Sequence, residues 1–376
     1  MSGKRRGSGE GGITQRKDGR WQGSFLAENG VRRKKYVYGK TRKEVQEKLA
    51  RAIYQEKQGT LTRGDARQTV QQFMEHWFVN VHKGAVREKT YLDHLSRAKN
   101  HIYPLLGHVR LQKLSVQHVQ EWYATKCGKL AVSTVDLLYA LLHTALETAV
   151  QWELVPRNVC DGVKKGKKVA REAVTLTLPQ AEHLIHLAQD DHLDALIATA
   201  ILTGMRLGEL RGLKWSDLDT EHKILRVRRS ITDLPGKGPV EVEPKTKTSK
   251  RDISLPAFLV DLLKAQRGHV LSLRLAAGER WHDHDLVFPS SVGTVQGTKA
   301  LFTRWKALLK RTGLPDMRFH ELRHSTATLL LGMGVHPHVV REILGHSDVK
   351  ITLGTYSHVT AEMEREAMEK FGGQFR

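Results

Sequence analysis

Apolar residues recur along this chain with different rhythms, and each change of rhythm marks a change of structure. Near the N-terminus the pattern is short and alternating. Trp21, Phe25, Tyr36 and Tyr38 supply aromatic strand positions, and the dipeptides Asp18-Gly19 and Asn29-Gly30 supply hairpin turns. A three-stranded sheet is predicted, followed by a polar helix from about Thr41 to Gln58. From residue 68 the period lengthens. Val70, Phe73, Met74, Trp77, Phe78 and Val81 fall on one helical face. Tyr91, Leu95, Ala98 and Ile102 mark a second helix, with Pro104 and Gly107 as stop signals. Ser115 is placed to cap a third, carrying Val119, Trp122 and Tyr123. Leu138, Leu141, Leu142, Ala145, Leu146 and Ala149 mark a fourth. A four-helix bundle follows, its aromatics mostly core.

The stretch DGVKKGKKVAREAV, residues 161–174, has no apolar period and reads as a basic linker. Beyond it, helices are predicted from Pro179 to Gln189 and from Leu193 to Leu213. KILRVRRSI (223–231) reads as a strand, DLPGKG as a turn, and VEVEPKTKTSKRDISLP as two strands around a basic turn. Helices dominate from there to the C-terminus. The expected fold class is α+β and multidomain. Its parts are a small N-terminal sheet plus helix (1–67), a helical bundle (68–160), the linker (161–174) and a mostly helical domain with a small antiparallel sheet (175–376).

Charge changes this picture from a fold to a partner. The 376 residues carry 61 Lys and Arg against 40 Asp and Glu, a formal net charge of +21. Such an excess points to a polyanion, nucleic acid or an anionic membrane. The first 67 residues hold 18 basic and 7 acidic side chains, so about half the excess sits there. A membrane span needs roughly 18 consecutive apolar residues, and no such run occurs. No convincing basic amphipathic helix for a membrane surface is found either. The basic, Gly-rich start MSGKRRGSGEGG lacks the apolar region of a secretory signal. Cys127 and Cys160 have no metal-ligand spacing, and a reducing cytoplasm is expected. No HExxH, CxxC or Walker A pattern appears.

The candidate chemistry lies in the C-terminal half. In ILTGMRLGELRG, Arg206 and Glu209 are three apart, as on one helical face, with Gly204 and Gly208 beside them. A guanidinium fork suits a phosphodiester, and a carboxylate can hold that fork in place. In RFHELRHSTATLLLGMG, His320 and Arg323 are three apart, and His324 follows, on a helix otherwise rich in buried-type residues. His346 comes after Gly345, and Tyr356 lies ten residues further on in a TYSHV context. The basic turn offers Lys245, Lys247 and Lys250. Singly, each feature has an ordinary structural explanation: a surface ion pair, a core histidine, a structural tyrosine. Their order and company within one domain-sized span call for another.

TGMRLGEL, a basic β-turn, HELRH, LGHS and TYSHV together resemble the tyrosine recombinase (phage integrase) family. The resemblance covers the C-terminal half closely. It extends more loosely to the helical middle, similar to the family's core-site binding domain, and to the basic N-terminus, similar to arm-site binding domains. It implies a site-specific recombinase that integrates and excises a phage or mobile element. Tyr356 would attack the scissile phosphate to form a 3′-phosphotyrosyl link, conserving bond energy without ATP. Arg206 and Arg323 would clamp the non-bridging oxygens, His320 would accept the tyrosine proton, and His346 would add a hydrogen bond. Lys247, with Lys245 second, would protonate the leaving 5′-oxygen, and Glu209 would orient Arg206. No metal or other cofactor is required. Implied partners are double-stranded DNA with core and arm attachment sites and three further protomers in a homo-tetramer. An excision factor or a DNA-bending protein are candidate accessories, acting with it on the nucleoid. The C-terminal EMEREAMEKFGG would pack on a neighbouring protomer or fold back on its own domain. Competing readings are a type IB topoisomerase-like enzyme, which would relax supercoils without site specificity and against which the separate basic N-terminal module argues, and a DNA-binding regulator without catalysis.

Overall fold

The computed structural model describes residues 12–27, 33–57, 67–166, 174–243, 250–345 and 368. Asn29-Gly30, Lys245, Lys247, His346, Tyr356 and, apart from Met368, the EMEREAMEKFGG segment lie outside the described residues. The chain divides into two compact units, Met1–Ala170 and Arg171–Arg376.

In the first unit, β1 (Gly12–Gln15), β2 (Trp21–Ala27) and β3 (Arg33–Gly39) form an antiparallel sheet in that order. Asp18 accepts a hydrogen bond from the Arg20 amide, and Gly19 takes the left-handed turn conformation, φ 81°. Helix α1 (Arg42–Lys57) starts where the Thr41 hydroxyl accepts from the Glu44 amide. It closes on one sheet face through Val45 and Leu49. A Cβ at Gly23 would meet Val37 and Val45 at 2.9 Å, so only glycine admits the helix this close. The register pairs Gln22 with Tyr38 and Ser24 with Tyr36 on the other face, where both tyrosines are about half exposed, 48% and 47%.

The bundle is built from α2 (Val70–Trp77), α3 (Lys83–Ala85), α4 (Glu88–Arg97), α5 (Tyr103–Leu106), α6 (Val116–Cys127) and α7 (Val132–Gln151). Thr69 with Gln72, and Ser115 with His118, form capping boxes that start α2 and α6. Phe73, Trp77, Phe78, Ile102, Trp122, Leu138 and Leu142 are fully buried, each contributing about 1.5–3 kcal/mol of burial. The indoles keep their polar edges satisfied: Trp77 Nε1 donates to Thr148 Oγ1 (3.0 Å) and Trp122 Nε1 to the His101 carbonyl (2.8 Å).

Two helices contain wide turns. Phe78–His82 and Ala98–Ile102 are π-helical, hydrogen bonded from i to i+5. Residues five apart therefore face the same way, and His82 stacks on Trp77 with ring centroids 4.4 Å apart. The expected stop at Pro104 is corrected: the chain stays helical through it, with a π turn immediately before it, where the helix is already widened ahead of a residue that has no N–H to donate. Gly107 ends that helix. Residues 161–166, expected from the sequence to begin the linker, dock on the bundle. Tyr139 Oη donates to the Cys160 carbonyl (2.7 Å), and the Gln120 side chain pairs with both backbone groups of Lys164.

The second unit contains α8 (Leu178–Leu187), α9 (Asp194–Thr203), α10 (Leu207–Arg211), β4 (Leu218–Asp219), β5 (Ile224–Val227), β6 (Ser230–Leu234), β7 (Gly238–Val242) and β8 (Arg251–Ser254). After these come α11 (Ala257–Ala277), α12 (Thr298–Thr312), α13 (Glu321–Gly332) and α14 (Pro337–Leu344). Helix α9 is apolar on every side and lies at the centre, packed by α8, α10, α11 and α13. The single helix expected over Leu193–Leu213 is broken in two by Gly204, which adopts φ 59°. The strand expected over 223–231 is likewise two strands. β5 joins β4 and β8 in one sheet, while β6 pairs with β7 in another. The strands flanking the basic turn thus belong to different sheets. The α+β, multidomain class stands, helix-rich with small antiparallel sheets.

Candidate active site

Gly204 organises the site. At the C-cap of α9 its left-handed backbone ends one helix, and three residues later α10 begins. Arg206 is the N-cap of α10 in extended conformation, not a position on a continuous helical face. Glu209 is the third residue of that helix and reaches back. One carboxylate oxygen accepts from Arg206 Nη1 (2.8 Å) and the other from the Arg206 amide (3.0 Å). The Arg206 side chain remains 38% exposed while Glu209 is 3% exposed. The carboxylate is built in, and the guanidinium it orients faces outward with capacity left for an anion.

Helix α13 brings the second set. Its Thr326 hydroxyl donates to the Ile201 carbonyl (2.7 Å), pinning α13 across the C-terminal turn of α9. Arg323, buried on the same helix, donates from Nη1 to the Gly204 carbonyl (2.7 Å). The two arginines, 117 positions apart in sequence, are thus joined through one glycine. His320 stands at the N-cap position of that helix, and its ring meets that of His324 edge-on at 5.5 Å. Protein packed around the His320 imidazole pushes its pKa down to about 4, and His324, Arg323, Arg206 and Arg318 add repulsion of the charged form. The imidazole is therefore neutral near pH 7 and able to accept a proton. One side of the residue is open to solvent, and water screens part of this repulsion. His324 is shifted the same way, again chiefly by burial.

Arg251, which is not among the residues named from the sequence although it opens the R-x-I-x-L stretch after the basic turn, completes the arrangement. It is buried at the start of β8, its Nη2 on Glu209 Oε2 (3.1 Å) and its Nε on the Ile343 carbonyl (2.6 Å). A signal for it exists: β8 alternates, and Ile253 is an inward position, so Arg251 two residues earlier points inward as well. Gly345, in left-handed conformation at the end of α14, accepts from Arg206 Nη2 (3.3 Å). His346 follows it in the chain. Among the described residues the structure brings together Arg206, Glu209, His320 and Arg323 of the expected set, and Arg251 beside them. Lys250 is exposed and within 4.0 Å of Glu243.

Two sequence profiles match this chain: the phage integrase family over residues 175–363, and the phage integrase N-terminal SAM-like domain over residues 69–126. The chain belongs to the phage integrase family. This integrase is similar to a tyrosine recombinase XerC-like protein of Caldanaerobacter subterraneus, 30% identical over 375 residues, spanning 93% of this chain and 94% of that protein. In fold it resembles the Tn1549 transposon integrase solved with transposon right end DNA, with a TM-score of 0.70 and 23% identity over 81% of this chain and 100% of that one. It also resembles lambda integrase solved as a tetramer on a Holliday junction, with a TM-score of 0.57 and 16% identity over 89% of this chain and 95% of that one. The integrase is a tyrosine recombinase, an enzyme of DNA cleavage and strand exchange of the kind carried by phages and mobile elements.

Proposed function

We propose that the integrase cuts and rejoins its attachment sites with Tyr356 as the nucleophile. Tyr356 Oη bonds to the scissile phosphorus, the bond to the 5′-oxygen breaks, and a 3′-phosphotyrosyl link results. A phenol with its usual pKa near ~10 needs a proton acceptor, and His320 is the candidate, a weak base while burial and cations oppose its charged form and a stronger one once the scissile phosphate offsets those cations. Charge that builds on the non-bridging oxygens is met by Arg206 and Arg323, with His346 adding a hydrogen bond. Lys247, or Lys245 in second place, delivers the proton to the leaving 5′-oxygen. Glu209 orients Arg206. The observation that carries this reading is the convergence of Arg206, Arg323 and His320 around Gly204, two guanidinium groups and a neutral imidazole from distant parts of the chain.

The rest of the chain is read as delivery of that site to DNA. Residues 1–67 form the arm-site module, 68–160 with the docked segment 161–166 the core-site bundle, the remaining stretch to 174 the linker and 175–376 the catalytic domain. The exposed sheet face bearing Gln22, Ser24, Tyr36 and Tyr38, with Arg16 lying 5.7 Å over the Tyr38 ring, suits a major groove. Strand exchange needs two cuts at each of two sites, hence four protomers, as in the lambda integrase tetramer. An excision factor or a DNA-bending protein would set direction, and the place of action is the nucleoid in the bacterial cytoplasm.

A nicked suicide substrate carrying the core site tests the proposal. Wild type should form an SDS-resistant adduct and Tyr356→Phe should not. Tight binding with no adduct from wild type would leave a binding protein and strip Tyr356, His320, the arginines and the turn lysine of their catalytic roles.

A further inference from the structure

We propose that Arg251 is a positioning residue for cleavage, closing a ring of hydrogen bonds that fixes Arg206 against the end of α14. The inference rests on the reading of Arg206 as a phosphate clamp. The ring runs from Arg206 Nη1 to Glu209 Oε1 (2.8 Å), from Glu209 Oε2 to Arg251 Nη2 (3.1 Å), and from Arg251 Nε to the Ile343 carbonyl (2.6 Å). It then follows the chain two residues to Gly345, whose carbonyl returns to Arg206 Nη2 (3.3 Å). Three segments far apart in sequence are joined: the start of α10, the start of β8 and the end of α14. Without Arg251, Glu209 would bind only its own segment in this ring, and the end of α14 would touch Arg206 through one long hydrogen bond. Taking a guanidinium out of water is costly unless its partners are fixed, and here they are.

Glu209 reports on this role. Burial pushes its carboxyl up, but Arg251, ahead of Arg206, pulls it below its ordinary value, so it is ionised. Arg251 is itself drawn down by burial, yet an arginine keeps its proton. Among the described residues, Arg251 from β8 and Arg206 at the start of α10 are the charged groups acting on that carboxylate. Losing Arg251 leaves burial opposed by Arg206 alone, and the carboxyl then takes up a proton as pH falls, releasing Arg206.

The test is single-turnover cleavage of nicked core-site DNA from pH 5.5 to 8.5, with DNA affinity and melting measured alongside. Arg251→Met should bind DNA like wild type and cleave on the order of 100-fold more slowly at pH 7, the scale of a small misplacement of a reacting group. Its rate should climb with pH along a one-proton limb that wild type lacks. Arg251→Met/Glu209→Gln should stay slow with no limb. A wild-type rate and profile in Arg251→Met, or a uniform slowing without the limb, would overturn the proposal. Should Arg251→Met not fold, Arg251→Lys decides: it keeps the charge but cannot bridge Glu209 and Ile343 together. Slow cleavage at unchanged affinity then supports the proposal, and wild-type cleavage overturns it. Arg206→Ala separates the two levels. If it cleaves like wild type, the clamp reading fails. If it is inactive while the folded Arg251 variant is normal, only the positioning role fails.

Discussion

Replacing Gly204 with alanine separates two costs that usually come mixed. The residue sits at φ 59°, where a side chain is strained, and a Cβ there would lie 2.2 Å from Leu344 Cδ2. Left-handed backbone costs a non-glycine residue about 1–2 kcal/mol. Forcing a methyl into packed core adds about 1–3 kcal/mol. Gly313 offers the control, with φ 68° and nothing within 4 Å of its added Cβ. Calorimetric unfolding should therefore show Gly313→Ala destabilised by about 1–2 kcal/mol and Gly204→Ala by about 2–5 kcal/mol. The excess has a direction. Leu344 must move, Gly345 follows it in the chain with its carbonyl on Arg206, and Gly204 itself holds Arg323. Cleavage by Gly204→Ala should fall on the order of 100-fold at saturating DNA, below its melting range, while Gly313→Ala stays near wild type. Equal destabilisation of the two variants would refute the packing argument. A normal rate in Gly204→Ala would refute the claim that this glycine sets the spacing of the arginines.

Other outcomes follow from the same geometry. Arg323→Ala should keep most of the affinity for core-site DNA and lose about 100- to 1000-fold in adduct formation, and full cleavage would remove Arg323 from the site. Because His320 binds its proton less tightly folded than unfolded, stability should be fully present above pH 6.5 and decline as pH falls toward 4. Melting curves of His320→Gln should lose part of that decline, reduced from the full linkage value by solvent screening, whereas parallel curves would contradict the shift. Tyr139→Phe removes the donor to the buried Cys160 carbonyl and should cost about 1–3 kcal/mol. Hydrogen exchange should locate the loosening at residues 159–163, and protection unchanged there would show that the contact contributes little.

Local patterns are legible where local forces decide them. The apolar steps through Phe73, Trp77, Leu138 and Leu142 mark the bundle helices, and Ser115 caps α6 as its position predicts. Pairing is not legible. Nothing in KILRVRRSI or VEVEPKTKTSKRDISLP states that β5 chooses β8 and β6 chooses β7, because alternation fixes which face a residue takes and not which strand lies beside it. Gly204 stands in the sequence only as a neighbour of Arg206, but its positive φ breaks the helix and turns Arg206 into a cap. Arg251 escapes notice because a charged residue beside a basic turn looks solvated until its strand partner is known. Arg206, Glu209, His320 and Arg323 stand out in the sequence only as an ordered set. Their meeting depends on α13 crossing α9, a contact made over more than a hundred residues.

The π turn at Phe78–His82 has a bearing on how the bundle's length tolerates change. A π turn holds one residue more than the α turn it replaces. Removing one residue from a regular helix rotates everything beyond it by about 100° and turns the apolar face outward. Removing exposed Val79 would instead convert the wide turn to an ordinary one and leave Phe73 and Trp77 on one side, and Tyr91 and Leu95 on the other, near their present orientation. The helix thus carries slack of one residue. The stack of His82 on Trp77 and the 2.8 Å contact from His82 to His94 should survive as well, because His82 would then stand four residues from Trp77, on the same face of an ordinary turn.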